Sequence, residues 1–126
     1  MSPAHDPGAL LARYYSLPSG PRVRLRLVRS RDRDGIRQLF AAQGHVADEL
    51  ELARLVAFDV PRRLVLVATA LIDTTEKVVG VGAIELGEAS GPALVLVDEA
   101  LADGLRPLLS DALIGHAGAL ARARAA

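Results

Sequence analysis

The stretch Ala93-Leu94-Val95-Leu96-Val97-Asp98-Glu99-Ala100-Leu101-Ala102-Asp103-Gly104-Leu105-Arg106 decides how this chain is read. Its first five residues are an apolar run of strand length. Beyond it Leu105, Leu108, Leu109, Ala112, Leu113, His116 and Leu120 recur at helical spacing, so a strand passes through a short loop into an amphipathic helix with one buried face. A loop entering a helix N-terminus at the end of a strand is where α/β proteins hold phosphates, because unpaired backbone N–H groups and the helix dipole both favour an anion. This corner carries one glycine (Gly104), an acid, Asp103, and an early proline, Pro107.

Working outward, Glu88-Ala89-Ser90-Gly91-Pro92 is a turn. It is preceded by two apolar runs, Leu64 to Ile72 and Val78 to Leu86, joined by Asp73-Thr74-Thr75-Glu76-Lys77. Two strands in a hairpin is the economical reading, with Gly80 and Gly82 marking a bulge or a close approach by another backbone. Further upstream a helix is predicted from about Ala47, with Leu50, Leu52, Leu55, Val56 and Phe58 inward and Asp59-Val60-Pro61 closing it. Another is predicted after Ser30, with Asp32 and Asp34 in its first turn, Ile36, Leu39 and Phe40 as its stripe, and Gln43-Gly44 at its end. From Arg22 the pattern alternates strictly, Val23, Leu25 and Leu27 against Arg22, Arg24 and Arg26, which predicts a half-buried strand with a solvated arginine face. Residues 1–20 hold Pro and Gly around a short apolar piece and are expected to form an N-terminal arm with a helical turn or two. Residues 21–126 are expected to form one α+β domain of order strand, helix, helix, strand, strand, strand, helix, with a mixed, mostly antiparallel sheet.

The 126 residues suit one domain with one core. Half are apolar, yet only Tyr14, Tyr15, Phe40 and Phe58 are aromatic, so the core is built from Leu, Val, Ile and Ala. Formal net charge is zero, which argues against a chain whose task is to neutralise a nucleic-acid backbone or an anionic membrane. The absence of cysteine excludes disulfides, thiolate metal sites and thiol nucleophiles. No run of roughly 18 apolar residues occurs and the N-terminus lacks the pattern of a secretion signal, so a cytoplasmic protein is expected.

The order of elements, together with specific residues, resembles the GNAT acetyltransferase family. The nearest likeness is to the GNAT domain of bacterial acetyl-CoA synthetase-like and protein lysine acetyltransferases. Val23 to Phe40 is similar to that family's first strand and helix. Leu50 to Leu55 and Asp59 to Ala68 are similar to its second helix and second strand, and Val78-Val79-Gly80-Val81-Gly82 to the start of its third strand. The resemblance covers residues 22 to 120. It implies that acetyl-CoA or CoA would be held where the last strand meets the helix, through Val97, Gly104, Leu105 and Arg106. In the family this loop has the form Q/R-x-x-G-x-G/A. Matched from both sides, Ala102 falls on its first glycine, Asp103 on its arginine, Gly104 on its middle glycine and Arg106 on its last.

One glycine of three is present, and the departures have physical consequences. A side chain at Arg106 blocks close approach, Pro107 removes an N–H donor, and Asp103 sets a negative charge beside the phosphates. Each charge-assisted hydrogen bond lost is worth about 1.5–3 kcal/mol, so two would weaken binding roughly a hundredfold or more. Arg106 could offset part of this with its guanidinium. The general base implied by the family would fall near Gly91, which has no titratable group, so no catalytic residue is assigned; Glu85 and Glu88 are near enough to be considered and read better as strand-end and turn residues. The family also continues with a further strand and helix, which this sequence does not carry. The strand at 93–97 is therefore expected to have an open edge, covered by a second copy or by another protein.

Two functions follow from the resemblance. One is a non-catalytic interaction or regulatory module related to acetyl-CoA-dependent N-acetyltransferases. The alternative is a small active acyl-CoA-dependent N-acyltransferase whose acceptor site is completed by a dimer or partner chain. The remaining residues support neither metal nor nucleic-acid chemistry. His116 reads as a packed helix residue. His5 and His45 lack the spacing of metal ligands. The seven arginines from Arg22 to Arg37 are interrupted by Asp32 and Asp34 and have no aromatics among them. Ser16-Leu17-Pro18-Ser19-Gly20 is a turn and not a nucleophile elbow.

Overall fold

A computed structural model describes residues 14–18, 21–57, 62–86 and 92–125. The strands are β1 (Tyr14–Ser16), β2 (Arg22–Leu27), β3 (Arg63–Ile72), β4 (Thr75–Glu85) and β5 (Leu94–Val97). The helices are α1 (Arg33–Ala42), α2 (Glu49–Val56) and α3 (Ala102–Ala125), the first and third each preceded by a 3-10 turn. The strands form one antiparallel sheet in the order β1-β2-β3-β4-β5, so the protein is α+β with helices on both faces.

β1 corrects the expectation of a helical arm. Tyr15 pairs with Val23 and Ser16 with Arg22, and the Arg22 guanidinium lies 5.5 Å from the Tyr14 ring centroid. Leu17 then turns back through a hydrogen bond from its N–H to the Pro21 carbonyl and is buried. The rest of the expected arm, together with Phe58, Asp59-Val60-Pro61 and Glu88 to Gly91, lies outside the described residues.

The alternating pattern of each strand sorts side chains between the two faces. Val23 and Leu25 of β2, Leu64, Leu66, Ala68 and Ala70 of β3, and Val97 of β5 meet the α3 stripe Leu105, Leu109 and Leu113. Val65, Val67, Val81 and Ala83 face the other way, against Ile36, Leu39 and Phe40 of α1 and Leu52 and Leu55 of α2. Leu50 does not join them as predicted; it stands 58 % exposed on the outer side of α2. α2 begins with Asp48, whose carboxylate accepts from the Leu50 N–H at 3.0 Å. α1 is closed by Gly44, whose φ of 78° is the left-handed conformation that ends a helix without a Cβ penalty.

The glycines of β4 lie beside a bulge, and what approaches them is the side chains of a helix and not another backbone. The β3–β4 register shifts between Ala68 and Thr69, so that Ala68 pairs with Gly80, Thr69 pairs with Val78 and Val79 is the extra residue. Gly80 and Gly82 lie beneath α3: a Cβ on Gly82 would sit 2.5 Å from Leu113 Cδ1, and one on Gly80 3.3 Å from Leu105 Cδ2. The bulge also reverses the facing of the strand beyond it, so Glu76 and Val78 share a face with Thr69 and Arg26.

That face corrects the expectation of a solvated arginine row at one position: Arg22 is exposed and Arg24 half-buried, but Arg26 is not solvated. Arg26 is only 7 % exposed. Its guanidinium donates to both oxygens of Asp32, at 2.8 and 2.7 Å, to the Leu27 carbonyl at 3.2 Å and to Glu76 at 3.4 Å. Asp32, 4 % exposed, also accepts from the Arg29 N–H at 2.7 Å. Burial pushes the Asp32 carboxyl upward, but the Arg26 guanidinium, the Arg29 N–H and the nearby positive charges together hold it below the usual carboxylate range.

Candidate functional site

The corner from β5 into α3 is built by the last rungs of the β4–β5 ladder. Val81 pairs with Leu96, and the Asp98 N–H reaches the Val79 carbonyl at 2.8 Å. Antiparallel alternation therefore turns the N–H and C=O groups of Leu94 and Leu96 toward β4 and those of Val95 and Val97 outward, to the open edge. Both outward carbonyls carry side-chain donors. Arg106 Nη1 donates to Val95 O at 3.3 Å, and Gln43 Nε2, from the end of α1, donates to Val97 O.

At the helix start, Asp98 acts as the cap. Its carboxylate accepts from the Ala100 N–H at 2.9 Å, while its own carbonyl accepts from the Leu101 N–H at 3.0 Å. A carboxylate from the chain itself thus occupies the anion position of this helix N-terminus, with the Glu99 and Asp103 side chains adding negative charge around the first turns.

Each residue named for the cofactor from the sequence has a place in this corner. Val97 and Leu105 are fully buried in the core between sheet and α3. Gly104 is covered by the segment after β1: a Cβ there would lie 2.7 Å from Pro18 Cδ and 3.4 Å from Leu17 Cδ2, so its missing side chain admits that segment. Arg106 is exposed and bound to the edge strand. The corner brings Gly104, Leu105 and Arg106 together on one turn of helix and sets Val97 at the strand end before it. The roles of Gln43 and Pro18 were not visible in the sequence, since neither is close to the corner along the chain.

Glu85, considered as a substitute base, pairs with Arg63 Nε at 2.8 Å across the β3–β4 ladder. His116 is buried as expected, its Nδ1 has no hydrogen-bond partner, and burial pushes its pKa below the ordinary histidine value. His45 packs on the Phe40 ring, 5.1 Å between centroids, with Glu51 at 3.7 Å. Among the described residues no three His, Cys, Asp or Glu side chains converge as metal ligands, and no helix is long and apolar enough to cross a membrane. No family model matches the chain, and comparison with curated proteins and with solved structures gives no match.

Proposed function

We propose that this chain is a GNAT-like domain that does no acyl transfer and works by association through its β5 edge. One observation carries the reading: the Asp98 carboxylate takes the helix N–H that a pyrophosphate would need. Gly104 is covered by Pro18, and Arg106 is engaged with Val95 O. A diphosphate arriving here would have to displace a like charge, free Arg106 from the strand and do without the Pro107 N–H. The resemblance to the family rests on the residues quoted above. The order of elements from β2 to α3, with two helices on one face and one on the other, is compatible with it.

Association is supported by the edge itself. β5 is four apolar residues long, Leu94, Val95 and Leu96 are only half-buried, and the ladder register turns the Val95 and Val97 N–H groups outward. A second copy of the chain would cover the strand, exchanging the Gln43 and Arg106 side-chain bonds for backbone ones.

Titration calorimetry with acetyl-CoA and CoA, paired with light scattering on the eluted protein, tests both parts. We expect no saturable heat and a concentration-dependent dimer. The Val95→Pro variant, which removes an outward N–H while leaving the β4–β5 bonds intact, is expected to be a folded monomer. Micromolar cofactor binding that is lost in Arg106→Ala would overturn the reading in favour of an acyl-CoA-dependent N-acyltransferase. A native chain that stays monomeric would place the partner outside this chain.

A further inference from the structure

On the face packed by α1 and α2 the helices cover only part of the sheet. α1 presses onto β4 at Gly35, where a Cβ would lie 2.8 Å from Val78 Cγ2. Beyond that contact a groove of about 520 Å³ opens between the start of α1 and the far end of the β3–β4 hairpin. Small-molecule sites are typically about 300–1,000 Å³, so the groove is of ligand size.

Its floor is polar and pre-arranged. Three of the four buried polar or charged side chains among the described residues, Arg26, Asp32 and Thr69, lie here. The β4 bulge brings Glu76 to the same face, where its carboxylate accepts from Arg26 Nε at 3.4 Å. The Arg26–Asp32 pair is buried, and a buried ion pair often adds little stability over apolar packing, so its place at the floor of a groove is compatible with a binding role beside its structural one.

The charges decide the ligand. Both carboxylates of the groove, Asp32 and Glu76, are already bonded to Arg26. Arg31 on the α1 bank and Lys77 on the hairpin bank also line it, and among the described residues neither is within ion-pair distance of a carboxylate. Three cations therefore stand against two satisfied anions, and the unmet capacity is positive. The Gln38 amide and the Thr75 hydroxyl add uncharged hydrogen-bonding groups at the same opening.

We propose that this groove binds a small polar anion bearing a carboxylate or phosphate group, held between Arg31 and Lys77 above the Arg26–Asp32–Glu76 floor. The site is independent of the β5 edge, since it is lined by β2, the 3-10 turn before α1, α1 and the β3–β4 hairpin. Titrating isotope-labelled protein with inorganic phosphate and, separately, with citrate, against sodium chloride of matched ionic strength, tests it by amide chemical shifts.

Saturable shifts are expected within residues 31–38 and 69–78. Lys77→Gln and Arg31→Gln, both at exposed positions, should each raise the dissociation constant about tenfold, as loss of one charge-assisted contact implies. Arg106→Ala should leave it unchanged, and the two probes distinguish a phosphate from a carboxylate ligand. Shifts reproduced by chloride, shifts undiminished in both variants, or no saturable shift for either probe at about 20 mM would overturn the proposal.

Discussion

The Asp32 carboxylate receives two hydrogen bonds from the Arg26 guanidinium, at 2.8 and 2.7 Å, and so fastens the C-terminal end of β2 to the turn that starts α1. The same carboxylate accepts the Arg29 N–H, which holds the intervening residues in place. Asp32→Ala would leave a buried guanidinium without its main partner and should cost about 3 kcal/mol, near the low end for a broken buried pair because the groove admits water. Replacing the pair together, Arg26→Met with Asp32→Leu, should recover most of that loss. Denaturant unfolding of the two variants checks the ordering.

Acid should act on the same carboxylate. The folded-state pKa of Asp32 is depressed, so its contribution is complete above the unfolded-state value near 3.8 and is lost as pH falls through the lower folded value. Acid unfolding monitored by circular dichroism should lose this component in Asp32→Asn.

His116 gives a second pH dependence in a different window. Its folded pKa is depressed below 6.5 by burial, so the unfolded chain binds the proton first as pH falls. Stability is then expected to fall as pH drops below about 6.5, down to the folded value, since the unfolded state takes up more protons in that interval. His116→Leu should flatten the curve between pH 7 and the onset of carboxylate titration; an unaltered slope would assign the dependence to other groups.

A methyl group on Gly82 would lie 2.5 Å from Leu113 Cδ1, so the buried Leu113 side chain would have to shift. Gly82→Ala is expected to destabilise by about 1–3 kcal/mol, the usual cost of overpacking. Combining it with Leu113→Ala should cost less than the sum of the two single changes, because the smaller side chain vacates the clashing position.

The tip of the β3–β4 hairpin is strained in a correctable way. Asp73 and Thr74 have φ of 49° and 66°, positions that two-residue hairpin turns fill with asparagine and glycine. The double substitution Asp73→Asn with Thr74→Gly should raise stability by about 1 kcal/mol, read as a higher melting temperature. An unchanged or lower value would show that the native turn is not strained.

Much of the architecture was legible because apolar spacing reports burial directly. The α3 stripe, the paired strands around Asp73-Thr74 and the glycines of β4 are all visible in the chain. β1 was not, since three residues soon followed by turn formers make no periodic signal and pair only because β2 offers an edge. The burial of Arg26 was hidden by the same alternation that revealed β2: a charged residue on alternate positions reads as solvent-facing unless its partner is recognised. Asp32, six residues on and at a helix start, was the available clue. At the β5–α3 corner the sequence located the strand end and the lone Gly104. It could not show that Pro18, Gln43 and Asp98 supply what surrounds them, because those contacts arise from residues distant in sequence or from a cap whose side-chain direction is set by the turn.

Every strand of the sheet pairs only with the strands next to it along the chain. No segment has to be threaded between two that have already joined, and the one long excursion, from β2 to β3, is filled by the two helices that cover the resulting face. The sheet can therefore grow outward from the β3–β4 hairpin, whose closure fixes few residues between its arms, with β2 and β5 added on opposite sides and β1 after β2. Assembly order then parallels synthesis order on the β5 side. α3, made after the five strands of the described residues, is the element that closes the second face.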